Sequence, residues 1–294
     1  MSEAKTTSQE NSSGGKKKSS KGKFRRRRLT FVLLMILLIW WFNNYTLRIT
    51  EVTIHSGKVK SGVRIAVISD LHATHHGISN RRIEKKIRKA DPDIVMMIGD
   101  MYTSGSSWDR KQIPVDLAAD LVDEGYPVYV VSGEHDYDDD YLSAISDTGA
   151  HVMNYKSETI TINGNKLQIM GIDNVYYSAT FDLSSEFTLM DDCFNILMAH
   201  IPNYDKFAEF GADLTLCADT HGGMVQLPFD LGPVYSSDYR RWFPQLTMGG
   251  ETIYDKGLFE YKGGAMFITS GIGDSPAPVR FNNRPEVAVL DIKP

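Results

Sequence analysis

A polar, basic stretch opens the chain and gives way at Leu29 to an unbroken apolar run, Leu29–Phe42 (LTFVLLMILLIWWF), with no charge before Arg48. From Leu29 to Leu47 about 19 residues can sit in hydrocarbon, close to the ~20 that a helix needs to cross it. Beyond this run the period changes. Thr50–Ile54 alternates like a half-buried strand, whereas Val63–Ser69 (VRIAVIS), Ile94–Ile98 and Pro127–Val131 are nearly continuous apolar runs, the pattern of strands covered on both faces. Helical spacing fills the gaps at Ile78–Ala90, which stops before Pro92, around Val115–Val122, and at Tyr141–Thr148. The style then shifts. Thr159–Ile162 and Lys166–Met170, split by Asn163-Gly164-Asn165, predict a hairpin. Phe194–Ala199 predicts a buried strand, Tyr204–Phe210 a short helix and Leu214–Cys217 another strand, and Leu258–Tyr261, Ala265–Thr269 and Val287–Ile292 make the last third β-rich. Alternating β and α units followed by hairpins predict an α/β body of two mixed sheets packed together, helices outside, preceded by one transmembrane helix.

Charge sharpens the picture of the N-terminus. Residues 1–28 hold ten Lys/Arg against Glu3 and Glu10, a net of +8, so the remaining chain carries −13 of the total of −5. An acidic body lacks the basic footprint that phosphate backbones require, which argues against nucleic acid as its partner. The basic cluster instead flanks the apolar run, holding the N-terminus in the cytoplasm, while Trp40, Trp41 and Tyr45 at the far end suit the opposite interface. The expected layout is a disordered basic cytoplasmic tail over 1–28, a signal anchor over 29–47, a short connector with a strand over 48–61, and an extracytoplasmic body over 62–294, single-pass in the cell membrane. A cleavable signal peptide competes, but no small-x-small site follows the apolar run. Twin-arginine export from Arg27-Arg28, whose following residues fit it poorly, and a buried core helix are the remaining readings. Cys193 precedes one predicted strand and Cys217 ends another; parallel strands would keep them too far apart to bridge, so both are expected as buried thiols.

The chemistry-bearing residues fall at the C-terminal ends of the apolar strands. Asp70 and His72 follow VRIAVIS, Gly99-Asp100 follows IVMMI, Gly133-Glu134-His135-Asp136 follows VYVVS, His200 ends FNILMA, and Asp219-Thr220-His221 follows LTLC. In open α/β sheets this edge is where ligands bind. A lone Asp after a strand is usually a cap or turn residue, and a lone His a satisfied polar group. Five such groups in order are hard to explain that way, because converging carboxylates repel unless cations relieve them.

These motifs resemble the calcineurin-like metallophosphoesterase pattern of D-x-H, G-D, G-N-H-D, H and G-H-x-H. Gly222-Gly223 and the late segment Lys256–Arg280, ending SGIGDSPAPVR, resemble its membrane-linked bacterial branch. The resemblance covers about residues 60–292. It implies a four-layer αββα sandwich with two divalent metal ions (Mn, Mg, Fe, Zn or Ca) at the strand ends. Asp70, His72 and His221 would hold the first metal, Asp100 would bridge, and Glu134, His200 and Asp219 would hold the second. His135 would be the catalytic histidine, oriented by Asp136. Hydrolysis of a phosphoester follows, because two cations roughly 3.5–4 Å apart lower the pKa of a shared water and stabilise in-line displacement at phosphorus.

Two positions depart from the pattern. Glu134 stands where the family has Asn, and Asp219 where it has His, so the ligand set carries four carboxylates in place of two. Oxygen donors favour hard cations such as Mn²⁺, Mg²⁺ or Ca²⁺ at the second site. The same change leaves open a weakly catalytic or binding-only descendant. Thr103 replaces a second Asp found in many relatives, at a position with no expected ligand role. Arg240 and Arg241, flanked by Tyr239 and Trp242-Phe243, can clamp phosphate or sit at a lipid interface, or simply belong to a structural loop. His75 and His76 are exposed-loop candidates without an assigned role. The short reach from Arg48 to Gly62 keeps the body near the bilayer, so a lipid-linked or cell-envelope phosphoester is the expected substrate class.

Overall fold

A computed structural model describes residues 19–73, 77–173, 181–274 and 278–294, which fall into two compact units, 1–39 and 40–294. In the first unit the described residues are helical. Helix α1 runs Ser19–Tyr45, and its apolar side chains from Leu29 to Ile39 are exposed. By length and composition Lys23–Tyr45 suffices to cross a membrane. The helix therefore includes residues 19–28, which the sequence places in a disordered tail. Lys and Arg are good helix formers, and extending a helix already nucleated by the apolar run needs no second nucleus.

The second unit begins at Trp40 and takes in the last turn of α1, where Asn43 and Asn44 are buried. Its first half comprises β1 (Arg48–His55), β2 (Val63–Ile68), α2 (Asn80–Ala90), β3 (Ile94–Ile98), α3 (Trp108–Asp123), β4 (Val128–Val131), α4 (Asp139–Asp147) and β5 (His151–Val152). There follow β6 (Lys156–Ile162), β7 (Asn165–Ile172), α5 (Leu183–Glu186), β8 (Phe194–Ala199), α6 (Tyr204–Phe210) and β9 (Leu214–Cys217). The last part holds β10 (Tyr235–Ser236), β11 (Arg241–Trp242), α7 (Pro244–Thr247), β12 (Gly257–Tyr261), β13 (Gly264–Ile268) and β14 (Glu286–Lys293).

One six-stranded sheet has the order β1-β14-β2-β3-β4-β5, the other β12-β13-β9-β8-β7-β6. Strands β2 to β5 run parallel through helical crossovers, and β14 lies antiparallel to β2. In the second sheet β7, β8, β9 and β13 are parallel, with the hairpin partners β6 and β12 antiparallel at the edges. Side-chain alternation divides each central strand between two cores. Ile65, Val67, Ile94 and Met96 meet Ile169, Ile196, Met198 and Leu216 in the core between the sheets. Ala66, Ile68, Val95 and Met97 pack under α2, α3 and α4, while Met170, Leu197 and Ile268 pack under α5 and α6. The result is the expected αββα sandwich of two mixed sheets. Cys193 and Cys217 are buried free thiols.

Candidate metal centre

The C-terminal ends of β2, β3 and β4 in one sheet and of β8 and β9 in the other meet at one edge. His200, just past β8, donates from Nδ1 to the carbonyl of Ile98 in the facing sheet at 2.7 Å. Chain reversal here is abrupt. Asp70, His72, Asp100, Asp219 and His221 all adopt left-handed backbone, with φ between 49° and 67°. Such conformations cost roughly 1–3 kcal/mol each in non-glycine residues and gather where function needs them. Two glycines permit the close approach. A Cβ on Gly133 would lie 2.2 Å from Asp100 Oδ1, and one on Gly271 would lie 2.5 Å from Asp70 Oδ2.

The donors converge in overlapping groups whose atoms lie within 4.8 Å of one another: Asp70 with His72 and His221, Asp70 with Asp100 and His200, Asp100 with Glu134 and Asp219, and His72 with Asp100 and His135. His72 Nε2 faces His221 Nε2 at 3.2 Å, and His221 Nε2 is 3.8 Å from Asp70 Oδ1. His200 Nε2 is 3.4 Å from Asp100 Oδ2, 3.7 Å from Asp219 Oδ1 and 3.9 Å from Asp70 Oδ1. Glu134, despite the exposure of its side chain, points its carboxylate into the cluster.

Burial pushes the Asp70 carboxyl up to about 7, and does the same to Asp219. For Asp100, burial acts upward but the close approach and charge of His200 win, holding it at about 2. Burial would lower His200, yet the surrounding Asp100, Asp70 and Asp219 carry it well above its ordinary value. Burial lowers His72 to about 4 and His221 well below its usual range, leaving both imidazoles neutral. Without a cation, then, this edge stores protons on carboxylates that would otherwise repel.

Second contacts orient the imidazoles. His72 Nδ1 lies 3.1 Å from the Thr103 hydroxyl, turning its Nε2 lone pair inward. Thr103 has no expected ligand role, and its outer contact was not legible from the sequence. His135 Nδ1 meets Ser104 Oγ at 3.0 Å and accepts from the Ser104 amide at 3.4 Å, which leaves the proton on Nε2. That Nε2 lies 3.8 Å from Asp100 Oδ2 and 3.7 Å from Glu134 Oε1. Asp136, expected to orient His135, has oxygens that accept from Gly133 N at 2.6 Å and Met101 N at 2.7 Å, tying the β3 and β4 loops together, while Ser104 is the side-chain contact of His135 Nδ1. The buried carboxylate is turned inward because backbone N–H groups satisfy it there.

Arg240 lines a neighbouring cavity of about 420 Å³ with Tyr204, Asp238, Tyr239 and Tyr254. Arg241 is exposed in β11, with a long 3.4 Å contact to the Thr247 carbonyl. Neither belongs to the donor groups. His75 and His76 lie outside the described residues. Arg280 carried no assignment in the sequence, yet it is fully buried behind the centre, donating to the carbonyls of Ser270 at 2.8 Å and Gly273 at 2.6 Å and 2.8 Å. Gly273 N in turn donates to Asp70 O at 2.6 Å.

The calcineurin-like phosphoesterase profile matches residues 63–223, more than half the chain and the segment that contains every one of these donors. The chain belongs to the calcineurin-like phosphoesterase family. Among relatives, the uncharacterized metallophosphoesterase YkuE of Bacillus subtilis is 24% identical over 260 residues, covering 85% of this chain and 86% of that protein. An uncharacterized metallophosphoesterase of Aquifex aeolicus is 27% identical over 266 residues, covering 85% and 93%. Bacillus subtilis YkoQ, also named an uncharacterized metallophosphoesterase, is 22% identical over 244 residues, covering 78% and 83%. The chain is thus a phosphoesterase, a hydrolase of ester bonds. Its centre fits the divalent metals typical of the family: both Asp70 oxygens, His200 Nε2 and His221 Nδ1 are buried with no hydrogen-bond partner among the described residues. Cations would satisfy the inward-facing donors of that set.

Proposed function

We propose that this phosphoesterase works through a dinuclear centre on a phosphoester outside the cytoplasm, held at the membrane by the exposed apolar part of α1 as an uncleaved anchor, with Asn43, Asn44 and Leu47 already buried in the body. One observation carries the reading: two donor groups, Asp70–His72–His221 and Asp100–Glu134–Asp219, stand side by side, with His200 reaching carboxylates of both. Asp70, His72 and His221 would hold the first cation and Glu134, His200 and Asp219 the second, with Asp100 available to both. When bound, the two cations supply a water of lowered pKa and neutralise charge on the phosphoryl oxygens.

The chain's own residues do the rest. His135 presents Nε2–H at the cluster's open side, where it can donate to the leaving oxygen or to a phosphoryl oxygen. Ser104 holds that tautomer, Thr103 holds His72, and the Gly133 and Gly271 approaches keep Asp100 and Asp70 in place. Arg240, in its cavity beside Asp238, is the candidate contact to the non-reacting part of the substrate, and Arg241 is the weaker one. A lipid-linked or cell-envelope phosphoester suits a body joined so closely to the anchor. Four carboxylates favour a hard cation in the second position.

Full-length protein should hydrolyse bis-p-nitrophenyl phosphate or p-nitrophenyl phosphate with Mn²⁺, Mg²⁺ or Ca²⁺, lose activity in chelator, and lose it in Asp100→Ala. Folded, metal-loaded protein silent on both esters and on lipid phosphoesters would refute turnover. It would favour instead a binding-only descendant, for which the two added carboxylates are the supporting observation.

A further inference from the structure

The body carries a second feature that hydrolysis does not use: bulky apolar side chains held in water along one run of connected backbone. Phe229 is 90% exposed, and Leu231, Tyr235, Trp242, Phe243, Leu246, Val279 and Phe281 are also exposed. Backbone and side-chain hydrogen bonds tie their segments in series. Trp40 Nε1 donates to Pro278 O at 2.7 Å, and Asn282 N donates to Asn43 Oδ1 at 2.8 Å, joining the last turn of α1 to residues 278–282. Gln226 N donates to Phe281 O at 2.9 Å, and Leu227 N to Gly232 O at 2.9 Å, closing the turn that bears Phe229 and Leu231. Phe243 N donates to Val234 O at 2.8 Å, bringing in α7 and Leu246. Trp40, Trp41 and Phe42 are themselves half-exposed at the head of the series.

The conformation of this rim argues against leftover surface. Phe229, Asp230 and Phe243 have φ of 62°, 54° and 50°, where glycine or asparagine would sit with less strain. The sequence keeps phenylalanine there and turns it into solvent. Aromatics with arginines, here Tyr235, Trp242 and Phe243 beside Arg240 and Arg241, are the composition of a membrane–water interface. An exposed apolar surface of this kind needs a cover, and the chain supplies one by continuity, since the rim begins on the turn that directly follows the apolar run Leu29–Ile39.

We propose that residues 227–246 and 278–281, with Trp40–Phe42, form a lipid-facing rim that lies in the headgroup–acyl boundary of the bilayer holding α1. This rests on the anchor reading above. The rim adjoins the centre: Phe281 N donates to Met224 O at 3.2 Å, three residues from His221, and Asn283 Nδ2 donates to His221 O at 2.7 Å. A seated rim therefore brings the strand-end edge to the membrane surface, where a lipid-linked phosphate would be met.

The test uses full-length protein in nanodiscs with a fluorophore on single introduced cysteines at Phe229, Leu246, Met35 and Lys262, and quenching by spin-labelled phosphatidylcholine. Lys262 lies in the β12–β13 turn, at the sheet edge opposite the centre. Unsubstituted protein controls for labelling of Cys193 and Cys217. Quenching at Phe229 and Leu246 comparable to that at Met35, with Lys262 unquenched, is the expected result. Quenching at Met35 alone would overturn the rim and leave the anchor standing. An unquenched Met35 would overturn the anchor reading and the rim with it. Labels at Phe229 and Leu246 shielded from water yet unquenched by lipid would assign the rim to a protein partner or a second copy, and also refute it.

Discussion

The Asp70–His72–His221 group and the Asp100–Glu134–Asp219 group share one sheet edge but are built from different chemistry. The first is closed and mostly imidazole: Asp70 is fully buried, and His72 and His221 are held neutral by burial. The second is more open and, His200 apart, carboxylate, with the Glu134 side chain 48% exposed and Asp219 20% exposed. A closed site of mixed donors holds its cation by satisfying atoms that have no other partner, whereas an open carboxylate site holds one through charge that water also screens. The closed half should therefore retain metal more tightly, and the open half should exchange it and face the substrate.

Removing one carboxylate from each half sharpens this most. Asp70→Asn should lower hydrolysis by about 10²–10³-fold, the scale of one preorganised electrostatic group, and metal analysis should show loss from the tightly held fraction. Asp219→Asn should lose only the readily exchanged metal. Equal losses from both variants would end the distinction.

Proton inventory gives the next largest effect. Asp70 and Asp219, both pushed up to about 7, carry protons in the metal-free protein below neutrality that cations must displace. Apparent metal affinity should fall by about tenfold per pH unit for each proton displaced as pH drops from 7 to 6. Stability of the chelated protein runs the other way. Raised carboxyls bind more protons folded than unfolded, so their contribution is present near pH 4 and lost as pH rises toward 7. His200, also raised, loses its contribution in the same direction as pH climbs above its unfolded value. His72 and His221, lowered by burial, oppose this below their ordinary value of 6.5, so melting temperature in chelator should decline from about pH 6.5 to 8. A rise over that range would contradict the assignment.

Restoring the family residues in the open half tests its choice of metal. Glu134→Asn with Asp219→His should shift competition between Mn²⁺ and Zn²⁺ toward Zn²⁺ by about tenfold, roughly 1.4 kcal/mol, measured by metal content after mixed loading. An unchanged ratio would place the preference outside these two side chains.

Much of this centre is legible in the sequence because the strands that position it are covered on both faces. A continuous apolar run such as Ile94–Ile98 has few other readings, and Asp100 and His200 follow such runs directly. Other features depend on contacts between distant segments and leave no period to read. Arg280 is buried by carbonyls from the 270–273 loop. Asn43 and Asn44 read as part of the anchor but are buried against residues 280–282, since their amides cap backbone there. Strands β10 and β11, two residues each, are too short to show alternation. Asp136 stands beside His135 in the chain, yet its burial aims it at Gly133 and Met101, a direction no motif encodes.

The adjacent hydroxyls Thr103 and Ser104 set the smallest and most selective test, because each serves an imidazole with a different task. Thr103 meets His72 in the closed half, while Ser104 meets His135, which faces Asp100 and Glu134 in the open one. Thr103→Val keeps the shape and removes the hydroxyl, so it should weaken metal retention by about tenfold, the lower end for an outer-shell partner of a ligand. Ser104→Ala should leave metal content intact. It frees His135 to change tautomer, so turnover should fall while KM holds. If Ser104→Ala released metal instead, His135 would belong with the ligands, as its grouping with His72 and Asp100 permits. If both variants left metal and turnover untouched, the two imidazoles would be held by the loop backbone alone.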